Sequence, residues 1–185
     1  MFLAIGIAVV MGCKSEADKK LEAERMARPA KYVAALPDFS RKPEKVALVQ
    51  QPYLKGKIAV LSSTDGKSTF GNAGFGWAIT TGLPNLVDTV KEDPEAVKTV
   101  VLEECKSSKQ GFYTTTENPP RQIPAVYHDC QMTIIDRTIQ SVIYIKNFQA
   151  ASMEKVSISP TSTSVTLTPT REMEEFLKSL PQNRR

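Results

Sequence analysis

The stretch AVYHDCQMTIIDRTIQSVIYIKNF, Ala125 to Phe148, restricts the fold more than any other part of the chain. Val126, His128, Cys130, Met132 and Ile134 alternate with Tyr127, Asp129, Gln131 and Thr133. Successive side chains of a strand point to opposite faces, so a period of two predicts a strand with one face buried. Asp136-Arg137-Thr138 supplies a turn, and Ser141 to Phe148 returns as a β-branched run. The spacing therefore predicts a β-hairpin over about 125–148.

Shorter signals surround it. Ile58 to Leu61 is an apolar run flanked by turn residues and reads as a strand. Leu83, Leu86, Val87 and Val90 recur at helical spacing and predict a short helix that Pro94 breaks. Thr99 to Leu102 reads as a strand, as do Val156–Ser159 and Val165–Thr168. In TPTREMEEFLKSLP, a cap at Thr168 or Thr170, a face of Met173, Phe176, Leu177 and Leu180, and a stop at Pro181 predict an amphipathic helix. The sum is an α+β fold: a mostly antiparallel sheet with a central hairpin and a C-terminal amphipathic helix. A chain of 185 residues, 41% hydrophobic and 24% charged, suits one globular domain with appendages. No internal repeat is present.

The appendage is N-terminal. From Phe2 to Gly12 the chain carries no charge for 11 residues. A spanning helix needs about 20 residues, whereas the apolar core of a secretory signal takes about 7–15. The run ends Val10-Met11-Gly12-Cys13, which resembles a bacterial lipobox: an aliphatic residue, a small residue before the scissile bond, and a cysteine whose thiol carries diacylglycerol. Met11 stands where a smaller residue is usual, and no Lys or Arg precedes the apolar run. The resemblance implies a signal-peptide-like segment over 1–12, lipidation of Cys13, and a protein anchored outside the cytoplasm in a bacterial envelope. The competing reading is a buried N-terminal element with Cys13 as a core thiol.

Residues 13–45 read as a basic, partly helical tether. Ser15 to Met26 are good helix formers with a thin apolar stripe, and Pro29, Pro37 and Pro43 punctuate the rest of the segment. Lys14 to Lys57 holds 11 Lys/Arg against 6 Asp/Glu, while Ile58 to Arg185 holds 13 against 14. The positive excess thus sits in the lead segment and not within the domain. That suits a tether near an anionic surface and argues against a nucleic-acid partner. Residues 46–185 form the single globular domain. Its order, a Gly-Lys-aliphatic strand, then PEAVKTVVL, then C-x-x-x-I-I-D and a last helix ending FLKSLP, resembles bacterial secreted proteins and lipoproteins to which no activity is assigned. That resemblance supplies no catalytic residues.

The chemistry-bearing residues are few. Gly66-Lys67-Ser68 comes after a strand, as in a phosphate-binding loop, but Leu61 stands where the first glycine of that motif belongs. The segment reads instead as a Gly-rich loop whose aromatics Phe70, Phe75 and Trp77 contact a ligand or partner, or else cover the edge of the core. His128 is the lone histidine and shares a face with Cys130. A Cys–His nucleophile pair would need that thiol exposed, and the apolar neighbours on the face favour a buried histidine. His128, Cys105 and Cys130 make only three ligands and lack metal-site spacing, so no metal is expected, nor any cofactor. With Cys13 lipidated, Cys105 and Cys130 remain as a pair and predict a disulfide, given neighbouring strands. Two functions fit these residues. One is a tethered, non-enzymatic module binding an envelope protein or small ligand, with no catalytic residue. The other is an envelope hydrolase or redox enzyme built on Cys130 and His128.

Overall fold

The computed structural model describes residues 30–68, 74–78, 82–89, 91–117, 119–151 and 161–183. The signal-like segment, Cys13, the helix expected over Ser15–Met26, Phe70, Val90 and the strand expected at Val156–Ser159 lie outside them.

The fold is α+β. A first helix, α1, is described over residues 30–40. Eight strands come after it: β1 (Leu54–Lys55), β2 (Lys57–Thr64), β3 (Gly76–Trp77), β4 (Val97–Thr114), β5 (Gln122–Asp136), β6 (Ser141–Gln149), β7 (Val165–Leu167) and β8 (Gln182–Asn183). The helix α2 (Thr170–Ser179) lies between the last two. The main sheet is mixed and mostly antiparallel, in the order β3-β2-β4-β5-β6, with β7 paired to β5. β2 and β4 are parallel, as are β5 and β7. β1 and β8 form a small separate pair.

The expected hairpin is β5–β6, with Ile134 opposite Tyr144 and Asp136 opposite Ser141. Its turn is tied by the Asp136 carboxylate, which accepts from the Thr138 N–H (2.8 Å), the Thr138 hydroxyl and the Tyr53 hydroxyl (2.9 Å). Burial pushes the Asp136 carboxyl up, but the Thr138 and Tyr53 hydrogen bonds outweigh it and hold the group below its ordinary value.

Helices cover both faces of the central strands. On one face Met173 and Leu177 of α2 pack with Ile58, Val60, Val101, Met132 and Ile134. On the other, Tyr32 and Phe39 of α1 pack with Ala59, Leu61, Val100, Leu102 and Ile135. A strand buried on both faces reads as a continuous apolar run, which is why Ile58-Ala-Val-Leu61 and Thr99-Val-Val-Leu102 do not alternate.

Four expectations need correction. The tether does not extend to residue 45: Tyr32 and Phe39 are 1% and 2% exposed, so α1 belongs to the domain. The segment around Leu83–Val87 is not a helix. Gly82 and Asn85 have positive φ, and Val87 N–H donates to the Ile58 carbonyl as Leu86 bridges to Ile58, which keeps the chain extended beside β2. β5 does not bury one face alone, because Thr133 and Ile135 are buried beneath α1's side of the sheet. Finally, neither Thr168 nor Thr170 caps α2, whose N-cap is Pro169 without a side-chain bond.

Gly56, between β1 and β2, shows why glycine is needed there. Its φ is +57°, and a Cβ would sit 2.8 Å from Lys98 Cγ.

Candidate functional site

The chemistry-bearing side chains gather where β2 ends and β4 and β5 run on without it. β2 stops at Thr64, opposite Cys105. Cys105 in turn faces Cys130 across the β4–β5 ladder, and the two are joined by a disulfide with Cα atoms 4.0 Å apart. That spacing is near the one of a non-hydrogen-bonded antiparallel pair, the register that brings side chains closest. Both cysteines are buried among the apolar side chains beneath α2.

His128 lies two residues from Cys130 and is 8% exposed. Its Nδ1 is hydrogen-bonded to Thr168 Oγ1 at 3.0 Å, which commits the hydroxyl that the sequence offered as a helix cap. Ser107 is the cross-strand partner of His128. Its hydroxyl donates to Asp65 Oδ2 (2.6 Å), and its N–H donates to Asp65 Oδ1 (2.9 Å). Those two bonds, with His128 nearby, hold the exposed Asp65 carboxyl below its ordinary value.

Serine, histidine and aspartate therefore meet in one place, but not as a nucleophile and its base. A hydroxyl nucleophile must hand its proton to the imidazole, and here it is bonded to the carboxylate. Cys130 is held in the disulfide, so no thiolate faces His128. Among the described residues no group of three or more His, Cys, Asp or Glu is placed to hold a metal ion.

Asp65 and Gly66, with φ of 49° and 74°, form the tight turn Thr64–Lys67, closed by hydrogen bonds of 2.7 and 2.9 Å between those two residues. Asp-Gly is a hairpin-turn signal, and it explains Gly66-Lys67 without a phosphate. That signal is the only sign in the sequence of the role of Asp65 as a cap on the β4 edge.

The aromatics sit elsewhere. Phe75 and Trp77 are half-buried on α1's side of the sheet. Trp77 makes edge contacts with Tyr32 (5.3 Å) and Phe39 (6.1 Å). Trp77 also lines an apolar groove of about 400 Å³ with Tyr32, Val33, Ala78, Leu86 and Val87. Opposite the foot of α1, Arg137 lies 4.6 Å over the Phe39 ring and donates to Asp38 Oδ2 (2.9 Å) and the Val97 carbonyl (3.2 Å), pinning the helix to the β5–β6 turn.

No family model, curated protein or solved structure matches this chain. Its site must therefore be read from its own geometry.

Neighbouring glutamates on β4 take opposite faces. Glu104 pairs with Lys42 in an open polar cleft of about 570 Å³ that also holds Lys106, Asp129, Gln131 and Asn147. Glu103 turns the other way. Burial, with the carboxylate of Glu174 on α2 adding to it, pushes the Glu103 carboxyl up to about 7. Glu174 itself is bridged to Lys178 at 3.5 Å. In the sequence Glu103-Glu104 and Glu174-Glu175 are two separate pairs; only packing brings one member of each together. Among the described residues no helix is long and apolar enough to cross a membrane.

Proposed function

We propose that the chain is a membrane-tethered extracytoplasmic lipoprotein whose domain binds a partner or small ligand without catalysing a reaction. The observation that carries the reading is the Cys105–Cys130 disulfide within the core. Such bridges form and persist in oxidising compartments, where the lipobox-like Val10–Cys13 would deliver the protein. The bridge also consumes the thiol on which the hydrolase or redox alternative depends.

In this reading Cys13 holds the lipid, residues between it and α1 form the tether, and the amphipathic α2 covers one face of the sheet with Met173 and Leu177. One acyl chain anchors only marginally, so the diacyl group matters. The binding surface best supported is the groove beside Trp77, apolar and bounded by the Tyr32 ring. The test is the mass of the full chain extracted from membranes and the fractionation of Cys13→Ala. A lipid adduct on Cys13, lost in the variant together with membrane association, is the expected result. A chain without lipid mass, or a variant that stays membrane-bound, would overturn the reading. Trp77 is the chain's one tryptophan, so its fluorescence reports directly on ligands entering the groove.

A further inference from the structure

Beyond Cys105, β4 continues to Thr114 with β5 on one side and, among the described residues, no strand on the other. The bonds at each end fix the orientation of its backbone. Near the base, the Cys105 carbonyl accepts from Asp65 N–H and the Ser107 N–H donates to Asp65, so both point away from β5. At the tip, Thr115 N–H donates to the Arg121 carbonyl and points toward the β5 side. The irregularity between Ser107 and Lys109 reconciles the two ends. Alternation back from Thr115 leaves Gln110, Phe112 and Thr114 with N–H and C=O directed outward. Pro124 opposite Phe112 agrees, since a proline can donate nothing to that position.

An open strand edge is a template for another strand, and proteins usually blunt it with charge or proline. Asp65 does this at Ser107. Farther out, among the described residues, nothing does: Gln110 to Thr114 contains no charged residue and no proline. Phe112 at the centre is 70% exposed, more than any other large hydrophobic residue described.

We propose that this edge pairs with the same edge of a second copy, antiparallel, about a two-fold axis at Phe112. The stretch is self-complementary in that register. Phe112 faces Phe112, Gln110 faces Thr114, and each outward N–H meets a carbonyl without like charges opposing. Registers nearer the base are blocked because Asp65 already occupies Ser107. Edge pairing of so few residues covers less than the roughly 1,200 Å² of a stable complex, so the dimer is weak and concentration-dependent.

The test is sedimentation equilibrium of the full chain in density-matched non-ionic detergent over a wide concentration range. The wild type should pass from monomer to dimer as concentration rises. Phe112→Lys should weaken the dimer at least tenfold. Gln110→Pro should do the same, because it deletes only an outward N–H and leaves the β4–β5 ladder intact. Far-UV circular dichroism checks that each variant is folded, and if Gln110→Pro is not, Phe112→Lys decides alone. A wild type that stays monomeric throughout, or a dimer that a folded Phe112→Lys leaves unchanged, overturns the proposal.

Discussion

β4 and β5 each pass through two different environments, and the contrast shows what a strand owes to its covering. Over Val97–Cys105 and Cys130–Asp136 the strands lie between α1 and α2, and most side chains on either face are buried. Over Lys106–Thr114 and Gln122–Asp129 the same strands form an arm, flanked by β7 but uncovered by either helix's core. There Phe112 and Pro124 are exposed, while Ala125 and Tyr127 join only a small cluster with Leu167. The ladder is continuous through both, so pairing alone does not distinguish them. Apolar area removed from water does. The disulfide stands at the junction.

The strongest way to break this contrast is to remove a cover. Phe39→Ala should cost about 3–5 kcal/mol, the usual cost of emptying a buried aromatic site. Urea denaturation measures it, and a loss below about 1 kcal/mol would mean that α1 does not hold the centre.

The junction comes next. Replacing Cys105 and Cys130 together by Ala opens a loop of sequence separation 25. On the chain-entropy model that costs about 3.5 kcal/mol. Amide exchange should quicken more over Lys106–Thr114 than over Val97–Glu104, and equal acceleration in both would erase the boundary.

Glu103 sharpens the comparison inside the centre, because an ionisable group there feels its burial. Its folded carboxyl titrates at about 7. An unfolded glutamate titrates near about 4.3. The folded state therefore holds the proton more tightly between those values, and stability falls as pH rises through that window. Glu103→Gln should flatten the slope, changing little at about pH 4 and stabilising at about pH 8 by up to about 3 kcal/mol. Urea midpoints at the two pH values test this, and an unchanged slope would place Glu103 in water.

The smallest effect is expected in the arm. Phe112→Ala, measured at high dilution, should shift stability by no more than about 0.5 kcal/mol, as surface substitutions usually do. A cost of about 2 kcal/mol or more would show that the arm is packed as the centre is.

The two helices show how much is legible in the sequence. α2 is, because Met173, Leu177 and Leu180 recur at helical spacing and end at Pro181. α1 is not. Its buried residues Tyr32 and Phe39 are seven apart in a stretch that comes after the charge-rich residues 14–28 and is broken by Pro37, which reads as linker. Trp77 stands out in the sequence as an aromatic of interest, yet its partners Tyr32 and Phe39 come from more than thirty residues upstream. Leu86 and Val87 mislead for the opposite reason. Their spacing fits a helix, but a few apolar residues cannot outweigh positive φ at Asn85 and a backbone bond to β2.

Sequence by itself determined the β5–β6 hairpin and α2, because each rests on local periodicity; the pairing of Cys105 with Cys130 also needed the β4–β5 register that puts them opposite one another. Tertiary structure alone decided that α1 closes the second face, that Thr168 serves His128 instead of capping α2, that Glu103 meets Glu174, and that β4 runs on past the end of β2. The physical reason is common to all four. A side chain's local preference is written in its neighbours along the chain, whereas its burial, its charge state and its hydrogen-bond partner depend on which distant segment arrives to exclude water from it.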